Sequence, residues 1–334
     1  MSLPRAAFAL ACCFALAHPA GAQLRAHRLD NGAVTVLACE VAGGRLLSFA
    51  LAGQPNFLLA DEHAGNPDAV SVSAYSNDVP YLGHEVWVGP QKEWWTDQAL
   101  NPERARSRAQ WPPDPYLSLA PYALVQRTPA ELVVDSPPSL VTGIQLRKRY
   151  ALVKGQPNSL QLDVRATNRR DKPVARDIWF NTRVRPDTRV YVPLASEDDV
   201  RVATQEAGDG LVFTLADGLM ALEPPAGTAR KGKLLIQPSS GWMAAFHGGQ
   251  AFIIQFRHYS STAIHPDHGQ VELAREVQGV LEMALHAPFV KLAPGKSMRA
   301  SERWTLLPYE GPATREAHLA FLRLHAKALG LAGL

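Results

Sequence analysis

From about residue 34 to residue 306 the chain is a succession of short β-prone runs separated by Gly, Pro and Asn, and that punctuation restricts the fold class severely. Asn31-Gly32 is a tight-turn pair leading into Val34–Cys39. Gly43-Gly44 opens Arg45–Leu51, which Gly53-Gln-Pro-Asn56 closes. Later runs at 131–135, 143–152, 159–166, 178–185, 190–192, 211–215, 233–236, 242–246, 251–257, 271–274, 279–285 and 297–306 repeat the pattern. Leu160-Gln-Leu-Asp-Val-Arg-Ala-Thr167 alternates apolar and polar, as a strand with one buried and one wet face must. Many short strands of this kind build a sandwich and not an alternating α/β sheet. The convincing helix lies at the C-terminus, at about 315–329, with Thr314 as cap, Glu316 in the first turn and Gly330 as terminator. Leu319, Phe321, Leu322, Leu324 and Leu329 give it an apolar side suited to docking on a sheet.

The first 22 residues read as a signal peptide. Arg5 is the positive region, 6–17 the apolar run, and Ala20-Gly21-Ala22 the small-residue cleavage pattern. The apolar run is short of the roughly 20 residues a spanning helix needs, so export to the periplasm or medium, without a membrane anchor, is expected. Residues 23–334 then form one domain, with an irregular region at about 60–120. Cys39 is the one cysteine beyond the leader, so no internal disulfide can hold the fold. With 34 Lys and Arg against 31 Asp and Glu, the charge balance supplies no reason to expect nucleic acid as a partner.

Several chemistries are excluded by absence. The chain has no phosphate-cradling Gly loop, no dinucleotide fingerprint, no cysteine pair for zinc and no nucleophile elbow. His265-Pro-Asp-His268 places two histidines at i and i+3, but Pro266 breaks a helical presentation and no third ligand follows at a telling spacing. Neither metal nor cofactor is therefore expected. What remains is an aromatic and acidic set. Gly83-His84-Glu-Val-Trp87-Val-Gly89, with Trp94 close behind, supplies an indole face for a sugar ring and an imidazole for a hydroxyl. Strand parity in 280–285 puts Leu281, Met283 and Leu285 on one face and Glu282 on the other. Partial desolvation by small apolar neighbours suits Glu282 to act as a base near neutral pH. Glu272 is the competing carboxylate, and Glu302 reads as part of a surface pair. Arg183 and Lys231 are candidate clamps, while His258 and Asp267 sit in a loop able to touch a ligand. In Arg147-Lys148-Arg149, side chains are expected to alternate between solvent and a carboxylate partner.

In order along the chain, Gly44-Arg45-Leu-Leu-Ser-Phe, Gly83-His84-x-x-Trp87-x-x-Pro90, Val164-x-x-Thr-Asn168 and Trp179 come first. Lys231-Gly232, Gly241-Trp242, Pro266-Asp267-x-Gly269, Leu281-Glu282 and Leu292-x-Pro-Gly295 follow. This series resembles domain of unknown function 4380, a bacterial family within the galactose-mutarotase-like superfamily. The resemblance implies an all-β supersandwich of large antiparallel sheets with a carbohydrate site. It implies that Glu282 stands where the mutarotase base stands, and that His84 lies near an early sugar-contacting histidine. No mid-chain residue matches the proton-donating histidine well; His247 and His258 are weak candidates. The expected function is an exported carbohydrate-binding protein that works as an aldose epimerase with Glu282 as base and His84 or His258 as acid. The alternative is a carbohydrate-binding protein without catalysis. A polysaccharide lyase built on Tyr259 and Arg257 ranks last.

Overall fold

The computed structural model describes residues 26–61, 64, 71–204, 211–225, 231–276 and 279–334; the expected leader at 1–22 lies outside the described residues. Among the described residues, two antiparallel sheets of ten strands face each other, with strands numbered along the chain. The first runs in the order β1 (Ala26–Asp30), β2 (Val34–Cys39), β3 (Arg45–Leu51), β4 (His84–Gly89), β9 (Val174–Val184). It continues through β18 (Val280–His286), β17 (Val271–Glu276), β14 (Gly232–Ile236) and β11 (Val200–Thr204), and β19 (Val290–Leu292) also pairs with β9. The second runs β12 (Phe213–Ala216), β13 (Leu219–Leu222), β10 (Arg189–Pro193), β15 (Trp242–His247), β16 (Gln250–Phe256). It is completed by β20 (Ser297–Pro308), β8 (Ser159–Asn168), β7 (Ile144–Leu152), β6 (Glu131–Asp135) and β5 (Ala123–Thr128).

The inner faces of the two sheets supply one continuous core that includes Leu29, Phe49, Phe180, Phe252, Ile254 and Trp304. Each fully buried side chain of this size contributes roughly 1.5–3 kcal/mol, so the core holds the fold without a disulfide. The C-terminal helix (Arg315–Leu329) covers the outer face of the second sheet, where Leu319 and Leu322 meet Tyr191, Trp242 and Phe246. Its ends form as the sequence implies: the Thr314 side chain accepts from the Ala317 amide, and Gly330 takes the left-handed conformation at φ 70°. Leu324 departs from expectation, being exposed to solvent. None of the helices among the described residues is long and apolar enough to cross a membrane.

The expected alternation of Arg147-Lys148-Arg149 is only half met. Arg147 pairs with Asp135, and Arg149 with Glu131 and Asp163, on the wet face. Lys148 is instead buried, its Nζ donating to the Gly43 carbonyl at 2.7 Å and lying over the Tyr122 ring. Burial pushes this ammonium down to about 7. The larger departure is β4, a strand where the sequence reads as irregular. All six of its residues are buried, so no polar alternation marks it.

Candidate functional site

Period-two geometry aims one set of side chains from the first sheet away from the core. On β4 the core side takes Val86 and Val88, which leaves Glu85 and Trp87 outward. On β9, Ile178, Phe180 and Val184 go inward while Asp177, Trp179, Asn181 and Arg183 go outward. On β18, Leu281, Met283 and Leu285 enter the core and Glu282, Ala284 and His286 face out, as parity requires. Strand register then sorts the outward groups into rows. Trp87 lies opposite Trp179 and Trp179 opposite His286. Glu282 lies opposite Arg183 on one side and Ala274 on the other, and Ala274 opposite Lys233.

Over these rows opens a cavity of about 570 Å³, lined by β3, β4, β9, β14, β17 and β18 together with the segment 78–82, Gln91 and Trp111. That volume is in the range of sites for small organic ligands. Its floor carries a chain of alternating charges. Arg45 Nη2 is 2.7 Å from Glu85 Oε2, Glu85 Oε1 is 2.7 Å from Arg183 Nη1, and Arg183 Nη2 is 3.0 Å from Glu282 Oε2. Burial works to raise the Glu85 carboxyl, but the two guanidinium groups outweigh it and hold the group below its ordinary range. Glu282 ends the chain with its side chain 19% exposed, the most accessible member. Trp87 stands 4.9 Å over the Arg183 guanidinium and meets Trp179 edge to face at 4.9 Å. Asp78 joins from the loop above; burial, and then the Glu85 charge, push its carboxyl up to about 6.

The expected site residues divide. Glu282, Trp87, Arg183 and Lys231 line this cavity together, and Lys231 has no ion pair among the described residues. His84 does not: parity turns it into the core, against Phe180 and Trp304, with Nδ1 2.9 Å from the Thr182 hydroxyl. Burial, reinforced by Lys148, Arg183 and Arg45, holds its imidazole well below the usual range, so it is neutral and has no path to a bound molecule. Trp94 sits behind the floor, stacked on Trp179, and its indole donates to the Val88 carbonyl. His258 is exposed in a loop and bonds the Pro238 carbonyl at 2.8 Å. Asp267 pairs with Lys92 at 2.5 Å, also outside the cavity lining. His247 pairs with Asp187 at 3.3 Å. Arg257 lies over the Tyr259 ring, and neither residue lines the cavity. Arg45, Asp78, Glu85, Trp179 and Lys233 are not among the site residues the sequence points to; Trp179 is named in the ordered motifs and Arg45 and Glu85 stand inside recognised runs, but only pairing across strands shows that Arg45 and Glu85 are partners.

Glu272 belongs to a second, buried group beside the floor. Its Oε2 is 2.5 Å from Lys233 Nζ and 3.4 Å from His286 Nε2, and its Oε1 is 2.9 Å from His268 Nδ1. Burial would raise this carboxyl, but His286 and Lys233 hold it well below its ordinary range. Asp177 completes the group, with Oδ2 3.0 Å from His286 Nδ1 and Oδ1 accepting from the Gly89 amide.

Residues 24–307 match the family model described as domain of unknown function (DUF4380), and the chain belongs to that family. No curated protein matches the chain in sequence. Among solved structures, a Klebsiella pneumoniae protein named for a conjectured aldose 1-epimerase activity is 15% identical with a TM-score of 0.53, over 89% of this chain and 81% of that one. A galactose mutarotase-like protein of Clostridium acetobutylicum is 9% identical with a TM-score of 0.51, over 84% of this chain and 94% of that one. One from Lactobacillus casei is 10% identical with a TM-score of 0.50, over 84% and 100%. The fold is therefore galactose mutarotase-like.

Proposed function

We propose that this member of the DUF4380 family is an exported carbohydrate-binding protein and that the cavity over β4, β9 and β18 takes the sugar. One observation carries this reading: indole rings and a mostly buried ion pair, with Glu282 its more accessible member, share a single cavity of about 570 Å³. A sugar ring offers apolar C–H faces and hydroxyls in fixed directions, so it needs both an aromatic wall and charged hydrogen-bonding groups. Trp87 and Trp179 supply the wall; Arg183, Glu282 and Lys231 supply the polar groups. The expected leader at 1–22 supports export.

A second reading, epimerisation at a hemiacetal carbon, is favoured by Asp78. No histidine lines the cavity among the described residues, but a carboxyl raised to about 6 can donate a proton near neutral pH. In this scheme Glu282 takes the proton of the anomeric hydroxyl as Asp78 protonates the ring oxygen. The C1–O bond to the ring breaks to give the open aldehyde. Rotation about C1–C2 and the reverse transfers close the other anomer.

Tryptophan fluorescence titration against a panel of aldoses, with a glycan array for longer ligands, tests binding. A ligand that shifts the emission of wild type and loses at least tenfold in affinity in Trp87→Ala is the expected result. Silence across both panels overturns the reading. Polarimetry of fresh α-D-glucose and α-D-galactose tests turnover, with Asp78→Asn and Glu282→Gln each expected to abolish any acceleration.

A further inference from the structure

We propose that Asp177, His268 and His286 form a site for one divalent first-row transition-metal ion, with Glu272 supporting both imidazoles. The three residues come from β9, the turn before β17, and the end of β18, and each offers a ligand atom within 4.8 Å of the others'. All are buried. Linear spacing conceals the group: the third donor that His265 and His268 lack nearby arrives from 91 positions earlier in the chain. His265 is not part of it.

The internal bonding is that of a metal centre's ligands and their supports. Each imidazole has its Nδ1 tied to a carboxylate, His268 to Glu272 at 2.9 Å and His286 to Asp177 at 3.0 Å. Asp177 is itself anchored by the Gly89 amide at 2.6 Å. A carboxylate placed as Glu272 is fixes the ring orientation of a ligating histidine and raises its basicity. The rings stack at 4.0 Å with 22° between planes. His268 Nε2, opposite the tethered nitrogen, is buried and has no hydrogen-bond partner among the described residues. A buried nitrogen without a partner calls for a ligand, because buried polar atoms are almost always satisfied. His286 Nε2 approaches Glu272 Oε2 at 3.4 Å, so Glu272 braces the second ring as well as the first. The donor atoms, within 4.8 Å of one another, must close toward the roughly 3.3 Å edge of a tetrahedron with bonds of about 2.0–2.1 Å to hold an ion.

Two nitrogens and one carboxylate oxygen favour zinc or a neighbouring transition ion over calcium or magnesium, which take oxygen alone. Trp179 covers both rings, at 5.4 Å from His268 and 4.7 Å from His286. Bound there, an ion ties β9, β18 and the turn before β17 together beneath the cavity. Lys233, 2.5 Å from Glu272, neutralises that supporting carboxylate.

The test is calorimetric titration of the EDTA-dialysed full chain with Zn²⁺, together with visible spectra on Co²⁺ addition. One equivalent of Zn²⁺ and cobalt d–d bands typical of nitrogen ligation are expected from wild type. His268→Ala and Asp177→Asn should each weaken binding at least tenfold, while His258→Ala, at an exposed loop histidine, leaves it unchanged. Absence of stoichiometric Zn²⁺ binding by wild type overturns the proposal whatever the variants do, and so does binding that survives His268→Ala intact. If His268→Ala fails to fold, the wild-type cobalt spectrum decides alone: a spectrum without d–d bands overturns the site. The outcome is independent of whether the cavity binds a sugar.

Discussion

Glu302 is the sharpest place to test the physics of this fold. It reads as a surface residue beside Arg303, but β20 parity points it with Trp304 and Leu306 into the space between the sheets. There it is 1% exposed, and its Oε2 accepts from the Trp304 indole at 2.8 Å. Burial pushes its carboxyl up to about 8 from 4.5, with the indole bond offsetting part of the rise. The folded state therefore binds the Glu302 proton more tightly than the unfolded chain does. Its contribution to stability is complete below pH 4.5 and is lost as pH rises through about 8. At about 1.4 kcal/mol per unit of pKa, the loss is about 1 kcal/mol by pH 5, about 3 by pH 7 and about 5 above pH 8. Glu302→Gln keeps a neutral acceptor for the indole and removes the titration. Urea unfolding of wild type and Glu302→Gln at pH 5, 7 and 9 should show the variant gaining on wild type by about 2 kcal/mol from pH 5 to 7 and by about 4 kcal/mol from pH 5 to 9. A stability difference that is flat across this range refutes the argument that Glu302 is buried and protonated.

Two further outcomes follow from backbone and charge. Arg183→Leu removes the cation shared by Glu85 and Glu282 and should lower stability by about 3–5 kcal/mol in urea unfolding, the usual consequence of stranding a buried charge; a change below about 1 kcal/mol would show that Arg45 neutralises Glu85 unaided. Gly83→Ala should be far worse than Gly330→Ala in thermal unfolding: both glycines have φ near +70°, but a Cβ at Gly83 meets the Leu46 carbonyl oxygen at 2.3 Å while that at Gly330 meets nothing, leaving only about 1–2 kcal/mol of left-handed strain.

Much of the sheet architecture is legible because strands with one wet face write a period of two into the sequence. β2, β3 and β6 fall on the expected residues, and the side of β18 that carries Glu282 follows from parity alone. β4 escapes detection for the same physical reason. Tryptophans and loops cover its outer face, so neither face needs to be polar and the period vanishes. That one omission misdirects His84. Inside a loop it is free to face a ligand, but on a strand it must alternate with Glu85, and Glu85 is the member that faces the cavity. Glu302 and Lys148 mislead in the opposite sense, as charged residues in alternating strands that point inward.

The sequence by itself determined the all-β class, the capped C-terminal helix, the DUF4380 resemblance and the outward aim of Glu282. Each of these is written in local spacing, cap residues or ordered motifs, which need no knowledge of neighbours in space. Only the tertiary structure decided what stands beside Glu282. The chain inserts β18 between β9 and β17, and this brings residue 282 against residue 183 and residue 286 against residues 177 and 268. Charge pairing and donor clustering act over a few ångströms, whereas the residues concerned lie up to about a hundred positions apart in the chain. No period or motif within a strand can encode that proximity; the order of strands in the sheet does.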